Sequence, residues 1–464
     1  MSKEAAQKVK LTNDSLLVGQ AKIDITPHID IAMIGHGESF FTGLKDRLYA
    51  TAIVFAQGRT MVCLITADLV AVNANFTNDV KARISKILGV SKNNILLCAS
   101  HTHRGPNIVY PMVKNNNIRY IEELKAKLVE LAVKAHGKLA AASIGSAVGK
   151  AEIGINRRLP VNGKIEFAPN PDGAYDKDVM IVAIKSGGKL QGVITSHACH
   201  ATAEPDSVIS ADYPGQVRDL LQKEYGSKTI ISFLAGCCGD VRPNGPYKKV
   251  GWNLPITEQQ IQGYSQSVIN AVKNIVEDKN PELNFVHSKL KLPFDRERIS
   301  LDQFETMYSE TDKLVKNKAT ESNITRALKS LQKSIELNKA GSNIQPKSMD
   351  VAVLQTGKIV FVFLPGEVFT EIGLQIKALD SSRTIIPVTF YNNYCPYICT
   401  AKACAEGGFE PDASFSWFGP EFPFPLSVSC EKIILEKVSS LLEQLATKNA
   451  VENNQKLIKS KKLK

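Results

Sequence analysis

No stretch of the 464 residues approaches the ~20 apolar residues that a membrane-crossing helix requires. The first fifteen residues are polar and carry no apolar core, so no secretory leader is expected; an exported chain already shorn of its leader would read the same way. Helix-turn-helix, zinc-finger and RNP-type patterns are also missing, which leaves the net charge of +11 without a nucleic-acid motif to serve. Part of that charge is local, because Lys456, Lys459, Lys461, Lys462 and Lys464 outnumber the single acid Glu452 at the end of the chain. We read 448–464 as a basic, solvated tail. A disulfide framework is absent too. The nine cysteines are an odd number, Cys237 and Cys238 are adjacent, and Cys63 and Cys98 lie in apolar runs where a thiol behaves as a small hydrophobe. These features predict free thiols and a reducing, cytoplasmic setting. The sequence shows no internal repeat and no low-complexity tract.

With 44% hydrophobic and 22% charged residues, the composition is that of a globular protein with room for a large core. Short β-branched runs alternate with longer amphipathic stretches, the pattern of an α/β fold. Mainly parallel mixed sheets flanked by helices are expected, in one domain over 16–447. The predicted strands are 18–25, 51–56, 61–66, 94–98, 143–147, 179–184, 192–196, 229–233, 350–354, 359–364 and 384–391. The predicted helices are 77–88, 119–136, 213–224, 257–276, 370–378 and 429–446. Residues 295–345 are rich in Lys, Glu, Ser and Asn with helical periodicity, and read as a helical insertion that is solvated rather than a cap on a site.

The unusual polar clusters each follow the end of a predicted strand. Strand 94–98 leads into Ser100-His101-Thr102-His103-Arg104, strand 192–196 into His197-Ala198-Cys199-His200, and strand 229–233 into Gly239-Asp240-Val241-Arg242. Strand 359–364 leads into Pro365-Gly366-Glu367, and strand 384–391 into Tyr394 and Tyr397. In open α/β sheets ligands bind beyond the carboxyl ends of strands, so five such clusters converge on one site. Imidazole with carboxylate suits Zn²⁺. Alternate residues of an extended segment face the same way, so His101 and His103 can both reach the site, one on metal and the other orienting substrate or moving a proton. The Pro-Gly turn delivers Glu367 from a buried strand, where an unpaired carboxylate would be strongly destabilising. His197 reads as a loop hydrogen-bonder, and His28, His136 and His287 as ordinary residues. His36 also reads as ordinary, although its Gly35-His36-Gly37 turn can reach the cleft.

These residues resemble the N-terminal catalytic domain of neutral (alkaline, non-lysosomal) ceramidases, zinc amidases that split the amide of N-acyl sphingosine. The resemblance runs from Gly19-Gln20-Ala21-Lys22-Ile23-Asp24-Ile25-Thr26-Pro27 to the Tyr397 region. It includes Ser100-His101-Thr102-His103, Gly105-Pro106, Ile155-Asn156-Arg157, His200-Ala201-Thr202, Ser210-Ala211-Asp212, Gly239-Asp240-Val241, Pro243-Asn244 and Leu364-Pro365-Gly366-Glu367. No counterpart of the immunoglobulin-like C-terminal domain of full ceramidases is expected within these 464 residues. The resemblance implies zinc ligands at His101, His200, Glu367 and Tyr397, with His103 orienting substrate or acting as acid and base, and Arg157 as a polar site residue. Three positions depart from the pattern. Arg242 stands where the family has a serine required for activity, Phe409 where it has a second site tyrosine, and Arg104 where it has a serine after the His-Thr-His. New guanidinium groups suit an anionic substrate; alternatively Arg242 turns into a salt bridge with Asp240 or Asp212.

The expected function is therefore amide hydrolysis by a zinc-activated water on a small or lipid-like substrate other than ceramide itself. His103, Arg157 and Arg242 would be catalytic, and Arg104, Asp240 and Phe409 would contact substrate. A metal-dependent ester or phosphoester hydrolase of a small anion, and a non-catalytic metal-containing binding protein, are the alternatives.

Overall fold

Along the segment Tyr49–Gln57, Ala50, Ala52 and Val54 join one apolar cluster while Ile53 and Phe55 join another. A strand that is apolar on both faces needs cover on both sides. In the computed structural model, which describes residues 15–28, 31–34, 41, 43–109, 115–204, 208–245, 255–317 and 322–461, that requirement is met three times by the same device.

The first unit is β1 (Leu17–Asp24), β2 (Tyr49–Gln57), β3 (Thr60–Ala67), α1 (Ala74–Leu88), β4 (Ile95–Ala99) and α2 (Asn115–His136). In the second, β5 (Ser143–Lys150) is followed by an inserted hairpin of β6 (Gly154–Val161) and β7 (Lys164–Asn170). The chain then resumes with β8 (Asp178–Ser186), β9 (Lys189–His197), α3 (Asp212–Tyr225), β10 (Ile230–Ala235), a short β11 (Val241–Pro243) paired to β6, and α4 (Glu258–Lys273). The third begins with β12 (Leu283–Leu292), carries the inserted helices α5 (Leu301–Asn317) and α6 (Ser322–Lys339), and continues through β13 (Lys347–Thr356) and β14 (Ile359–Phe363). It ends with β15 (Glu367–Val368), α7 (Thr370–Ala378), β16 (Thr384–Val388), β17 (Tyr397–Ile398), α8 (Ala401–Glu406) and α9 (Cys430–Lys461).

Each unit is a three-strand antiparallel meander, a crossover helix, a fourth strand parallel to the third, and a second helix. Ala140–Ala141 adds a short antiparallel fifth strand beside β1, and the four strands of each unit run in the order β4-β3-β2-β1, β10-β9-β8-β5 and β16-β14-β13-β12. In each, only the last two strands in the chain run parallel. The first helix of each unit (α1, α3, α7) packs on its fourth strand, and the second (α2, α4, α9) on its first two. The inner faces of all three sheets share one core, to which Phe55 and Leu64, Val182 and Ile194, and Leu354 and Phe361 contribute.

The sheets are thus mixed, with one parallel pair each, not mainly parallel. The cause is local. Between the second and third strands each unit has a two-residue loop that starts with a left-handed glycine: Gly58 at φ 55°, Gly187 at 56° and Gly357 at 58°. Such tight loops force antiparallel pairing. The repeat is invisible to residue-by-residue comparison because first and second strands are separated by 24 residues in unit one, a hairpin in unit two and two helices in unit three. The hairpin β6–β7 and strand β12 were not expected from sequence, the strand predicted to 391 stops at Val388, and the last helix runs on to Lys461. Within 295–345 the chain forms α5 and α6, with Phe304 and Leu331 packed against Phe415 and Phe424.

Candidate metal centre

The parallel pair of each sheet points its carboxyl end to the same place. His101 follows β4 by two residues, His200 follows β9 by three, and Glu367 follows β14 by four. Two residues past the fourth strand the chain turns left-handed in units one and three, at His101 (φ 65°) and Phe390 (φ 57°). Their rings stack face to face with centroids 3.8 Å apart. A non-glycine residue rarely holds such a φ unless its surroundings enforce it. Here the His101 amide is fixed to Leu69 O, and Thr102 forms a bridge with Ala201 that ties unit one to unit two. Glu367 is delivered by Gly366 (φ 70°), where an added Cβ would lie 2.8 Å from Pro396 O. β15 and β17 then pair Glu367 directly with Tyr397, which sets both side chains on one face.

The rings are oriented as metal ligands are. His101 Nδ1 donates to Val70 O at 2.7 Å, and His200 Nδ1 lies 2.8 Å and 2.9 Å from the Cys238 and Val241 carbonyls, so each Nε2 lone pair faces inward. Ring nitrogens of His101, His103 and His200 lie within 4.8 Å of one another. The Glu367 carboxylate stands 3.1 Å from His200 Nε2 and 3.7 Å from His101 Nε2. Burial pulls His101 down to about 3 against the attraction of Glu367, and pushes Glu367 above its usual range. Inward lone pairs and a buried carboxylate repel one another unless a cation sits among them. The nitrogen-and-oxygen donor set suits Zn²⁺. Tyr397 is hydrogen-bonded to Glu367, which brings its phenol to the edge of the cluster.

Beside this cluster lies the small sheet β7-β6-β11. Arg157 and Arg158 are consecutive on β6 and would normally face opposite ways. A bulge between Asn156 and Arg158 lets both reach one carboxylate. Glu410, 4% exposed, accepts Arg157 Nε and Arg158 Nη1 at 2.9 Å each. Arg157 Nη1 then lies 3.4 Å from His200 Nε2, with its guanidinium 4.7 Å from the Phe167 ring and 5.3 Å from Tyr397. Burial works against its charge, but Tyr397, Glu410 and Glu367 outweigh that and hold its pKa above the ordinary value. Arg242 lies 5.7 Å over the same Phe167 ring. Phe409 meets both Phe167 and Tyr397 edge-on, at 5.8 Å and 6.2 Å.

The structure therefore brings His101, His103, His200, Glu367, Tyr397, Arg157, Arg242 and Phe409 together. Two residues expected to touch substrate are placed otherwise. Arg104 is buried, with Nε donating to Glu204 O and Nη1 to His103 O, because the bridge at Thr102 redirects the chain after the histidines. Asp240 accepts Asn156 Nδ2 at 2.9 Å and the Thr370 amide at 2.8 Å, and its carbonyl holds the Arg157 amide, so it ties β6 to the start of α7. His197 hydrogen-bonds Tyr175 and Asp178 O behind the site, and His36 lies outside the described residues. Sequence reasoning missed Glu410 and Phe167. The signal for Glu410 was the Gly407-Gly408 pair just before it; Phe167 sits on an unexpected hairpin and gave none.

A family model described as neutral/alkaline non-lysosomal ceramidase, N-terminal, matches residues 16–275, which span units one and two. A neutral ceramidase from Mycobacterium tuberculosis (strain ATCC 25618 / H37Rv) is 27% identical over 259 residues, covering 49% of this chain and 40% of that protein, so the match spans well under two thirds of that relative. The crystal structure of neutral ceramidase from Pseudomonas aeruginosa superposes with a TM-score of 0.66 at 17% identity, over 93% of this chain and 75% of that one. A ceramidase complexed with C2 gives the same score and identity over 93% and 76%. The fold likeness thus reaches past the matched sequence into the unit that supplies Glu367 and Tyr397. With a family model covering more than half of its residues, the chain belongs to the neutral/alkaline non-lysosomal ceramidase family.

Proposed function

We propose that the chain is a zinc-dependent hydrolase of amide bonds. The observation that carries the reading is the meeting of His101 Nε2, His200 Nε2 and the Glu367 carboxylate, each from the strand end of a different sheet. His101, His200, Glu367 and Tyr397 would hold the zinc, which would supply Lewis acidity to activate water and polarise a scissile carbonyl. Membership of the family supports an amide as the bond cleaved.

The chain's own groups supply the rest. His103 is half-buried with Nε2 3.1 Å from His101 Nε2, where it can carry a proton to the leaving amine, a task worth roughly 10²–10⁴-fold. Arg157, locked by Glu410, presents fixed positive charge to an oxygen that becomes negative in the transition state. Phe167, Phe409 and Tyr397 form an aromatic wall against which an acyl group buries its surface. A guanidinium at Arg242, where the resemblance places a serine, supports a substrate other than ceramide itself. Nine free, buried cysteines support a reducing compartment.

Zinc-loaded protein assayed on matched long-chain amides, esters and phosphoesters tests the reading. Amide turnover that His200→Ala abolishes is expected. Turnover confined to phosphoesters, or bound zinc with no turnover on any of them, overturns it.

A further inference from the structure

We propose that the face of β6, β7 and β11 carrying Arg157, Arg242 and Phe167 recognises an anionic group of the substrate, a carboxylate or phosphate a few atoms from the scissile bond. The inference rests on the amide-hydrolase reading and names the class of amide.

Register builds the face. Ile155 pairs with Arg242 across β6 and β11, so Arg157, two residues on from Ile155, is a diagonal neighbour of Arg242 on the same side. Both guanidinium groups lie over one ring, Phe167, at 4.7 Å and 5.7 Å. Two like charges held against one aromatic face repel each other, and the effect is visible in Arg242, which burial and Arg157 together draw down to about 10. An oxyanion bridging the pair relieves that repulsion, and a neutral hydroxyl does not.

Arg157 has an arm to offer. Its residue is 4% exposed, its Nε is engaged by Glu410 and its Nη1 by His200. Its buried Nη2 meets no acceptor at full hydrogen-bond geometry among the described residues, and Tyr397 is the one group that engages the rest of the guanidinium from that side. A buried donor without an acceptor is costly, so a ligand that supplies the acceptor is favoured. Phe409, 38% exposed, meets Phe167 edge-on and gives this face an apolar border against which the acyl chain can lie.

Three probes share one acyl chain: N-dodecanoylglycine (carboxylate), N-dodecanoyl-O-phosphoethanolamine (phosphate) and neutral N-dodecanoylethanolamine. Zinc-loaded wild type should prefer one of the anionic amides over the neutral one by about 30-fold in kcat/KM, the scale of a charge-assisted hydrogen bond. The arm that wins identifies the anion. Arg242→Ser should collapse that preference, and Arg242→Lys should keep most of it. Calorimetric binding of the same probes to metal-free protein separates the two claims. Charge-dependent binding without hydrolysis of any probe sinks the amide reading and leaves the anion face standing. Equal affinity for neutral and anionic probes, or a preference that survives Arg242→Ser, overturns the anion face whatever the turnover.

Discussion

The ends of the repeated units and the segments inserted between them do different work. His101, His200 and Glu367 stand within four residues of strands that every unit possesses, and their rings are fixed by main-chain carbonyls. Arg157, Phe167, Arg242, Phe409 and Glu410 all sit on pieces that only one unit has: the β6–β7 hairpin, the short β11, or the segment after α8. The first group is held by backbone that the fold itself dictates. The second is held by side chains, chiefly one carboxylate between two arginines. With the candidate metal ligands on the scaffold and the side chains around them on inserts, one architecture can keep a site while changing what lies beside it.

That contrast can be broken from either side. On the scaffold, His200→Ala should release the metal and lower kcat by at least about 1000-fold, the several kcal/mol that a metal contributes; the checks are metal content and single-turnover rate. On the insert, Glu410→Gln should leave metal content intact while uncoupling Arg157 from Arg158. Removing one partner of a buried pair costs about 3–5 kcal/mol, so a lower Tm and roughly 10–100-fold lower kcat/KM are expected. Loss of metal in this variant would merge the two regions that we separate.

His197 offers a smaller effect, confined to the scaffold. Burial lowers its pKa from 6.5 to about 4. Between those values the unfolded chain binds the proton and the folded chain does not, so stability present above pH 6.5 is lost as pH falls towards 4. The loss amounts to about 3 kcal/mol at 1.36 kcal/mol per unit. Asp240, pushed up by burial to about 6, works in the opposite sense, so the clean measurement is the difference between metal-free wild type and His197→Phe in denaturant titrations at pH 4.5 and 7. A flatter profile in the variant is expected. Smallest of all, Phe409→Tyr should change kcat/KM on an anionic amide by less than about threefold, since the ring stays against Phe167 and a partly exposed hydroxyl adds little.

The scaffold half of the site was legible in the sequence because apolar strands announce where they end. Each of His101, His200 and Glu367 follows such an end, and the structure puts all three in contact. The insert half was not. Glu410 lies in a single π-helical turn, Phe409–Ala413, too short to leave a periodicity, and Phe167 lies on a half-exposed hairpin whose alternation is weak. Arg104 was expected at the site because the resemblance places a serine there, whereas the left-handed His101 and the bridge at Thr102 turn it inward. The threefold repeat left only one trace, a glycine opening the loop between the second and third strands of each unit. That is too little to detect without knowing the pairing.

Metal content of the purified protein, by mass spectrometry against protein concentration, tests the central claim most directly. One zinc per chain is predicted, falling to near zero in His101→Ala and His200→Ala and staying near one in Arg242→Ser. A wild type that binds no zinc, or histidine variants that keep it, would contradict the account.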